Sequence, residues 1–150
     1  MLDEKEFSRW MRSSKRTLSS ADRDRGSGDY NWSCFKAHQA AEFAVKALLR
    51  GLGLHAYGHS VSGLLSRLEG MLEVSGEVMS DAKALDKLYV PTRYPNAWAE
   101  GSPEDYYTAN DSQNAIKSAE NIIRWVESSW KSLRRGKNKR ESYSGSQRVG

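Results

Sequence analysis

The hydrophobic pattern is sharpest between residues 30 and 52, where inward and outward positions alternate with the period of an α-helix. Steps of three and four residues, which keep one helix face toward a partner helix, join Cys34, His38, Ala41, Val45, Leu48 and Leu52. Gln39, Glu42 and Lys46 form a polar stripe beside this face at the same spacing. The pattern predicts a helix with one buried face, whose polar border is suited to meet a ligand or a second subunit.

The rest of the chain also has helical periodicity, and no segment alternates as a strand would. We predict four more helices: one over about residues 3–22, one from the N-cap Ser60 to about Leu72, one after Gly76 that ends before Pro91, and a long last one opened by a capping box of Thr108 and Asp111. We expect Gly51 and Gly53 to close the second helix in the left-handed conformation. The expected fold is an all-α, up-and-down bundle of four to five helices, with the second and the last at its centre.

One segment, residues 91–107, breaks the helical pattern before the last helix. It contains all three prolines of the chain and four aromatic residues, Tyr94, Trp98, Tyr106 and Tyr107. Prolines and aromatic rings together are typical of an ordered loop, and ordered loops often carry function. The aromatic rings are either platforms for a ligand or lids over the core.

Charge is distributed unevenly along the chain. The net charge is +4, and residues 135–150 hold five basic residues and one acid, so residues 1–134 contain 18 charges of each sign. We therefore predict a neutral bundle over residues 1–134 and a flexible basic tail over residues 135–150, which either aids solubility or contacts RNA phosphates. With a single cysteine, Cys34, and no run of membrane-spanning length, we expect a soluble, cytoplasmic protein without membrane contact.

Three segments in this order resemble the HEPN family, the higher eukaryotes and prokaryotes nucleotide-binding domains. They read FKAHQAAEFAVKALL over residues 35–49, GHSVSGLL over residues 58–65 and LDKLYVPTRYPNAW over residues 85–98. The resemblance implies a bundle similar to the C-terminal domain of kanamycin nucleotidyltransferase and to related substrate-binding subunits, usually as a homodimer. It also implies a small nucleotidyltransferase as partner, in a pair of the toxin and antitoxin type.

Active members of this family pair an arginine with a histidine four to six residues further on, which implies metal-independent RNA cleavage. Arg93 stands where such an arginine is expected, but Trp98, Ala99 and Glu100 occupy the histidine positions. Arg50 and His55 have the spacing but lie at the end of the second helix. The chain is therefore more consistent with a binding protein than with an enzyme, and no catalytic residue is assigned.

The best candidate for ligand binding is the pair Arg93 and Tyr94, because a guanidinium binds phosphate and an aromatic ring stacks on a base. We expect the following residues to line a groove for a nucleotide or RNA phosphate: Arg93, Tyr94, Asn96, Gln39, Glu42 and Lys46. Glu42 would orient Arg93 there. In the alternative, Arg93 pairs with Glu42 or Asp86 only to fix the loop onto the bundle.

Neither a cofactor nor a metal is expected, because the chain has three histidines, His38, His55 and His59, and no acidic pair at ligand spacing. Two other functions remain open. One is an endoribonuclease toxin using Arg50 and His55, and the other is a purely structural subunit that binds a nucleotidyltransferase through an apolar helix face.

Overall fold

Five α-helices form the chain in the computed structural model, which describes the backbone of residues 1–147 and the side chains of residues 1–138. They are α1 (Glu4–Gly26), α2 (Tyr30–Gly51), α3 (Val61–Ser66), α4 (Gly76–Asp86) and α5 (Ala109–Gln147), with short 3-10 turns at Pro95–Ala97 and Pro103–Asp105. No strand occurs within residues 1–147. The predicted all-α bundle is confirmed, and none of the described helices is both long and apolar enough to cross a membrane.

The helices begin where short polar side chains cap their first turns. The Ser60 hydroxyl accepts a hydrogen bond from the Gly63 N–H at 3.0 Å, as predicted for the start of α3. Before α5, the Thr108 N–H donates to Asp111 Oδ2 at 2.9 Å and the Asp111 N–H donates to Thr108 Oγ1 at 3.2 Å. This reciprocal pair is the predicted capping box, with an aspartate in place of the usual glutamate.

Helix α2 is the centre of the bundle, since it packs against each of the other four helices. Its inward positions are fully buried, including Cys34, Val45 and Leu48. Ile122 and Val126 of α5 are equally buried. The seam predicted from three-and-four spacing is therefore the main interface of the core. Burial of this seam sets the direction in which the neighbouring polar stripe of α2 faces.

Gly51 differs from its predicted role. Its φ is not positive, whereas Gly53 has φ +76°, so only Gly53 takes the left-handed conformation. A Cβ atom at Gly51 would lie 2.5 Å from Trp130 Cζ3 of α5 and 3.2 Å from Phe7 Cβ of α1. A glycine is required here because the Trp130 ring, stacked on Phe7 at 4.2 Å, fills the space of a side chain.

Two predicted helix ends were wrong. Helix α1 continues to Gly26, beyond the predicted residue 22, and α3 ends at Ser66, although the apolar stripe runs to Leu72. Helix α5 continues beyond residue 134, so the backbone of residues 135–147 is helical. The predicted basic tail lies partly outside the described residues, and the division into bundle and tail stays a prediction.

Candidate functional site

Arg93 lies in the turn that follows α4, and three aromatic rings surround its guanidinium. The guanidinium carbon is 4.4 Å from the ring centre of Phe35, 4.5 Å from that of Tyr89 and 4.9 Å from that of Tyr94. Its Nε donates to the Tyr89 carbonyl at 2.9 Å. Cation–π contacts with three rings hold a guanidinium in place without neutralising its charge.

The turn that carries Arg93 is fixed by buried hydrogen bonds. The Thr92 side chain, which is fully buried, donates to the Leu88 carbonyl at 2.6 Å. Asn31 of α2 donates through its Nδ2 to the Thr92 carbonyl at 3.1 Å, and the Trp98 indole N–H donates to the Pro91 carbonyl at 2.8 Å. These bonds anchor the turn to α2 and set the position of the guanidinium.

The polar stripe of α2 is more buried than its sequence suggests. Glu42 is 2 % exposed and its Oε2 lies 3.2 Å from the Lys46 ammonium, while its Oε1 lies 3.0 Å from Nδ1 of His59. The predicted contact between Glu42 and Arg93 does not form, because both oxygens of this carboxylate have other partners. Burying a carboxylate is costly unless such partners compensate it.

Asp86 is likewise engaged away from Arg93. Its carboxylate accepts hydrogen bonds from the backbone N–H groups of Val61 and Ser62 at 2.6 and 3.1 Å, and from the Ser62 hydroxyl at 2.6 Å. Among the ion pairs of residues 1–138, none joins Arg93 to Glu42 or Asp86. The alternative in which Arg93 pairs with one of these acids is not supported.

His38 occupies the core side of this region. It is fully buried, its Nδ1 lies 3.1 Å from the Gln39 side-chain oxygen, and its Nε2 lies 3.5 Å from Asp86 Oδ1, a long contact. The His38 ring also packs against Tyr89 at 5.1 Å. It is a core histidine that links the polar stripe to the end of α4.

Tyr89 joins the parts of the candidate site that the sequence left separate. Its ring contacts Phe35 and His38 of α2, the imidazole of His59 at 4.9 Å, and the guanidinium of Arg93. The stripe and the turn therefore meet at one aromatic ring. The sequence analysis does not single out Tyr89, although its spacing of four residues from Arg93 in a partly helical segment is a usable signal.

The predicted site residues thus fall into two groups with one outlier. Gln39, Glu42 and Lys46 lie along α2, and Gln39 and Glu42 reach Tyr89 through the two histidines, His38 and His59. Arg93 contacts the Tyr89 ring through its guanidinium, and Tyr94, which is 46 % exposed, contacts the same guanidinium. Asn96 is exposed in the 3-10 turn Pro95–Ala97.

The pair with the Arg-to-His spacing is not brought together by any contact found within residues 1–138. The Arg50 guanidinium lies 5.9 Å from the Trp10 ring of α1, whereas His55 stacks on the exposed Tyr57 at 5.5 Å. No group of three or more His, Cys, Asp or Glu side chains in the described part of the chain is placed to hold a metal ion.

A separate groove of about 340 Å³ lies between α4, α5 and the aromatic loop. Trp98 and Tyr106 stack there at 4.0 Å with their planes 11° apart, and Tyr107 meets Trp98 edge to face. The rings cover one another and, with Leu85 and Leu88, form the apolar wall of the groove. Tyr107 packs against the core and so fits the role of a lid, whereas Tyr106 is 42 % exposed.

Comparisons with known proteins extend these observations. The sequence profile of the HEPN domain matches residues 7–129. A search of curated proteins found none with significant similarity. Among solved structures, TT1696 from Thermus thermophilus is 38 % identical with a TM-score of 0.80, over 81 % of this chain and 96 % of the other.

Two further structures have similar agreement. ST0689, described as an archaeal HEPN homologue, is 35 % identical with a TM-score of 0.70, over 82 % of this chain and 96 % of its own. The HEPN domain protein tm0613 from Thermotoga maritima is 36 % identical with a TM-score of 0.68, over 82 % and 98 % of the two chains. The fold is thus shared over nearly the whole length of these proteins.

Proposed function

This chain belongs to the HEPN family, and from that premise we propose that it binds a phosphate group of a nucleotide or RNA at Arg93. The observation that supports this most directly is that the Arg93 guanidinium is held in place without forming an ion pair with Glu42 or Asp86. Three rings and one backbone carbonyl hold it, while the nearby carboxylates of Glu42 and Asp86 are engaged elsewhere. An arginine that is oriented but not neutralised has fixed N–H donors for a phosphate.

Stacking would supply the second part of the interaction. Tyr94 and Trp32 are 46 % and 45 % exposed. Tyr94 lies against the Arg93 guanidinium, and Trp32 lies against the Phe35 ring that the same guanidinium contacts. Exposed rings beside a cation suit single-stranded nucleic acid or a nucleotide base, since every base has a face that can stack. The proposed ligand therefore presents a phosphate to Arg93 and a base to the exposed rings.

The test is a titration of ATP and of a short single-stranded RNA by calorimetry, with wild type, Arg93→Ala and Arg16→Ala. Arg16 is an exposed arginine of α1 and serves as the matched control. Loss of a charge-assisted phosphate contact should weaken binding by about tenfold to a hundredfold in Arg93→Ala, with little change in Arg16→Ala. Equal affinity in wild type and Arg93→Ala would exclude the site.

We also propose the assembly that the family resemblance implies, a homodimer that partners a small nucleotidyltransferase in a pair of the toxin and antitoxin type. Trp10 and Phe43 are half-buried and in contact at 5.9 Å on the outer side of α1 and α2. They support an interface with another protein chain there, because aromatic side chains are enriched at such interfaces. Light scattering of the purified chain tests the dimer, and co-purification with a nucleotidyltransferase expressed together with it tests the partner. A monomer that binds no such protein would contradict this assembly.

A further inference from the structure

His59 is held by a buried carboxylate but is itself open to solvent. Its Nδ1 lies 3.0 Å from Glu42 Oε1, and Glu42 is 2 % exposed, whereas the His59 side chain is 57 % exposed. The imidazole ring also stacks on Tyr89 at 4.9 Å with the planes 17° apart. These two contacts fix the ring with Nδ1 toward the protein interior and Nε2 on the opposite edge.

The Glu42 contact determines which nitrogen of His59 carries a proton. A carboxylate only accepts hydrogen bonds, so Nδ1 must be the donor. In the neutral imidazole, Nε2 then has a lone pair and repels the oxygen atoms of a phosphate. In the protonated imidazole, Nε2 becomes an N–H donor with a positive charge, which attracts them.

The charged groups around His59 are two carboxylates and two cations, so their charges already balance when His59 is neutral. They are Glu42 and Lys46 on α2, Asp86 at the end of α4, and Arg93 in the following turn. The Tyr89 ring contacts both His59 and Arg93. Glu42 and Lys46 form an ion pair at 3.2 Å, and Asp86 bonds to the first turn of α3 through Ser60, Val61 and Ser62. Protonation of His59 therefore adds a net positive charge at the Tyr89 ring, which the Arg93 guanidinium also contacts.

We propose that His59 is a second phosphate-binding residue beside Arg93, which binds only in its protonated form, with Glu42 as the residue that positions it. The inference rests on the proposed function, because it assigns a further contact to the same ligand. Arg93 and His59 both pack against Tyr89, so at most one aromatic ring separates them. One phosphodiester segment can therefore meet both groups.

The experiment measures fluorescence anisotropy of a 5′-tetramethylrhodamine octauridylate with a free 3′-hydroxyl, from pH 5.5 to 8. Neither the phosphodiester groups nor the rhodamine dye titrates in that range, so a change in affinity reports on the protein. For wild type we expect the affinity to fall on the order of tenfold as the pH rises. His59→Gln should bind weakly at every pH, and His59→Arg should bind tightly with little dependence on pH.

Controls separate this inference from the proposed function. His55→Gln removes an exposed histidine that stacks on Tyr57 and should keep the wild-type pH profile. If Arg93→Ala weakens binding while His59→Gln leaves the pH profile unchanged, the Arg93 site stands and the role of His59 is wrong. If wild type does not bind the probe at any pH, both proposals fail.

The tautomer gives an independent test that needs no ligand. Two-dimensional ¹⁵N–¹H spectra of the imidazole side chains at pH 8 should show neutral His59 with its proton on Nδ1. The same spectra of Glu42→Gln should show a mixture, because an amide can donate or accept. A neutral His59 protonated on Nε2 in wild type would overturn the positioning by Glu42.

Discussion

Replacing Asp86 with asparagine tests whether one carboxylate joins α3 to the end of α4. Its oxygens accept from the N–H groups of Val61 and Ser62, from the Ser62 hydroxyl, and from the Ser60 hydroxyl at 2.9 Å. In Asp86→Asn, one of the two oxygens becomes an NH2 group that faces donors. The variant should therefore keep the fold but lose part of this attachment.

The magnitude follows from the pKa of the carboxyl group. Burial alone would raise the pKa, but the contact with His38 and the hydrogen bonds from the Ser62 hydroxyl and the two backbone N–H groups outweigh it and lower the pKa from 3.8 to about 2. At about 1.4 kcal/mol per tenfold change, this corresponds to roughly 2 kcal/mol of stability. Because the side chain is 22 % exposed, solvent screening reduces the expected loss to about 1–2 kcal/mol.

The pH dependence has a definite sign. Since the pKa is lower in the folded than in the unfolded state, the contribution is fully present above pH 4 and is lost as the pH falls from 3.8 toward 2. Urea denaturation followed by circular dichroism should show Asp86→Asn less stable than wild type at pH 7. The difference should shrink as the pH is lowered to 3.

A matched control is Asp22→Asn, which removes a carboxylate that pairs with Arg25 on the surface of α1 and is 60 % exposed. Exposed ion pairs of this kind contribute about 0–1 kcal/mol, so this variant should stay close to wild type at pH 7. A loss in Asp86→Asn that is the same at pH 7 and pH 3 would refute the reasoning, because the effect would then not come from the ionised carboxylate.

Three further predictions concern the bundle itself. Gly51→Ala should lower the free energy of unfolding by about 1–3 kcal/mol in urea titrations because its Cβ meets Trp130, while Gly136→Ala in open space should cause no loss. Cys34, fully buried with its pKa raised to about 12 by burial, should react with a colorimetric thiol reagent only after unfolding, and fast reaction of the native protein would contradict this. Thr108→Ala removes a capping bond of α5 and should cost about 1 kcal/mol in the same titrations, and an unchanged midpoint would show that the cap contributes nothing.

Local interactions explain why much of the fold was predictable. The seam from Cys34 to Leu48 and the capping box at Thr108 depend on neighbours three or four residues apart, which a sequence displays directly. The end of α3 was not predictable in this way. Leu68 is fully buried although it lies beyond Ser66, so an apolar residue at helical spacing contributes to the core from a turn.

The candidate site was only partly predictable for a related reason. The polar stripe of α2 and the Arg93–Tyr94 pair were identified from residue type and spacing, and the structure brings both to Tyr89. The predicted partner of Glu42, Arg93, was wrong. The Glu42 carboxylate instead contacts His59, which lies 17 residues further along the chain. The partner matters for stability, because the Glu42 carboxylate is only 2 % exposed and its burial is costly without compensating groups.

The sequence by itself determined the all-α class, the central position of α2 and the membership of the HEPN family, because periodicity, caps and characteristic segments are properties of the linear chain. Only the tertiary structure decided that Gly51 makes room for Trp130 and that no carboxylate of residues 1–138 forms an ion pair with Arg93. The physical reason is that these outcomes depend on which side chains meet across the bundle. Packing between distant segments selects among partners that residue type and spacing alone leave equivalent.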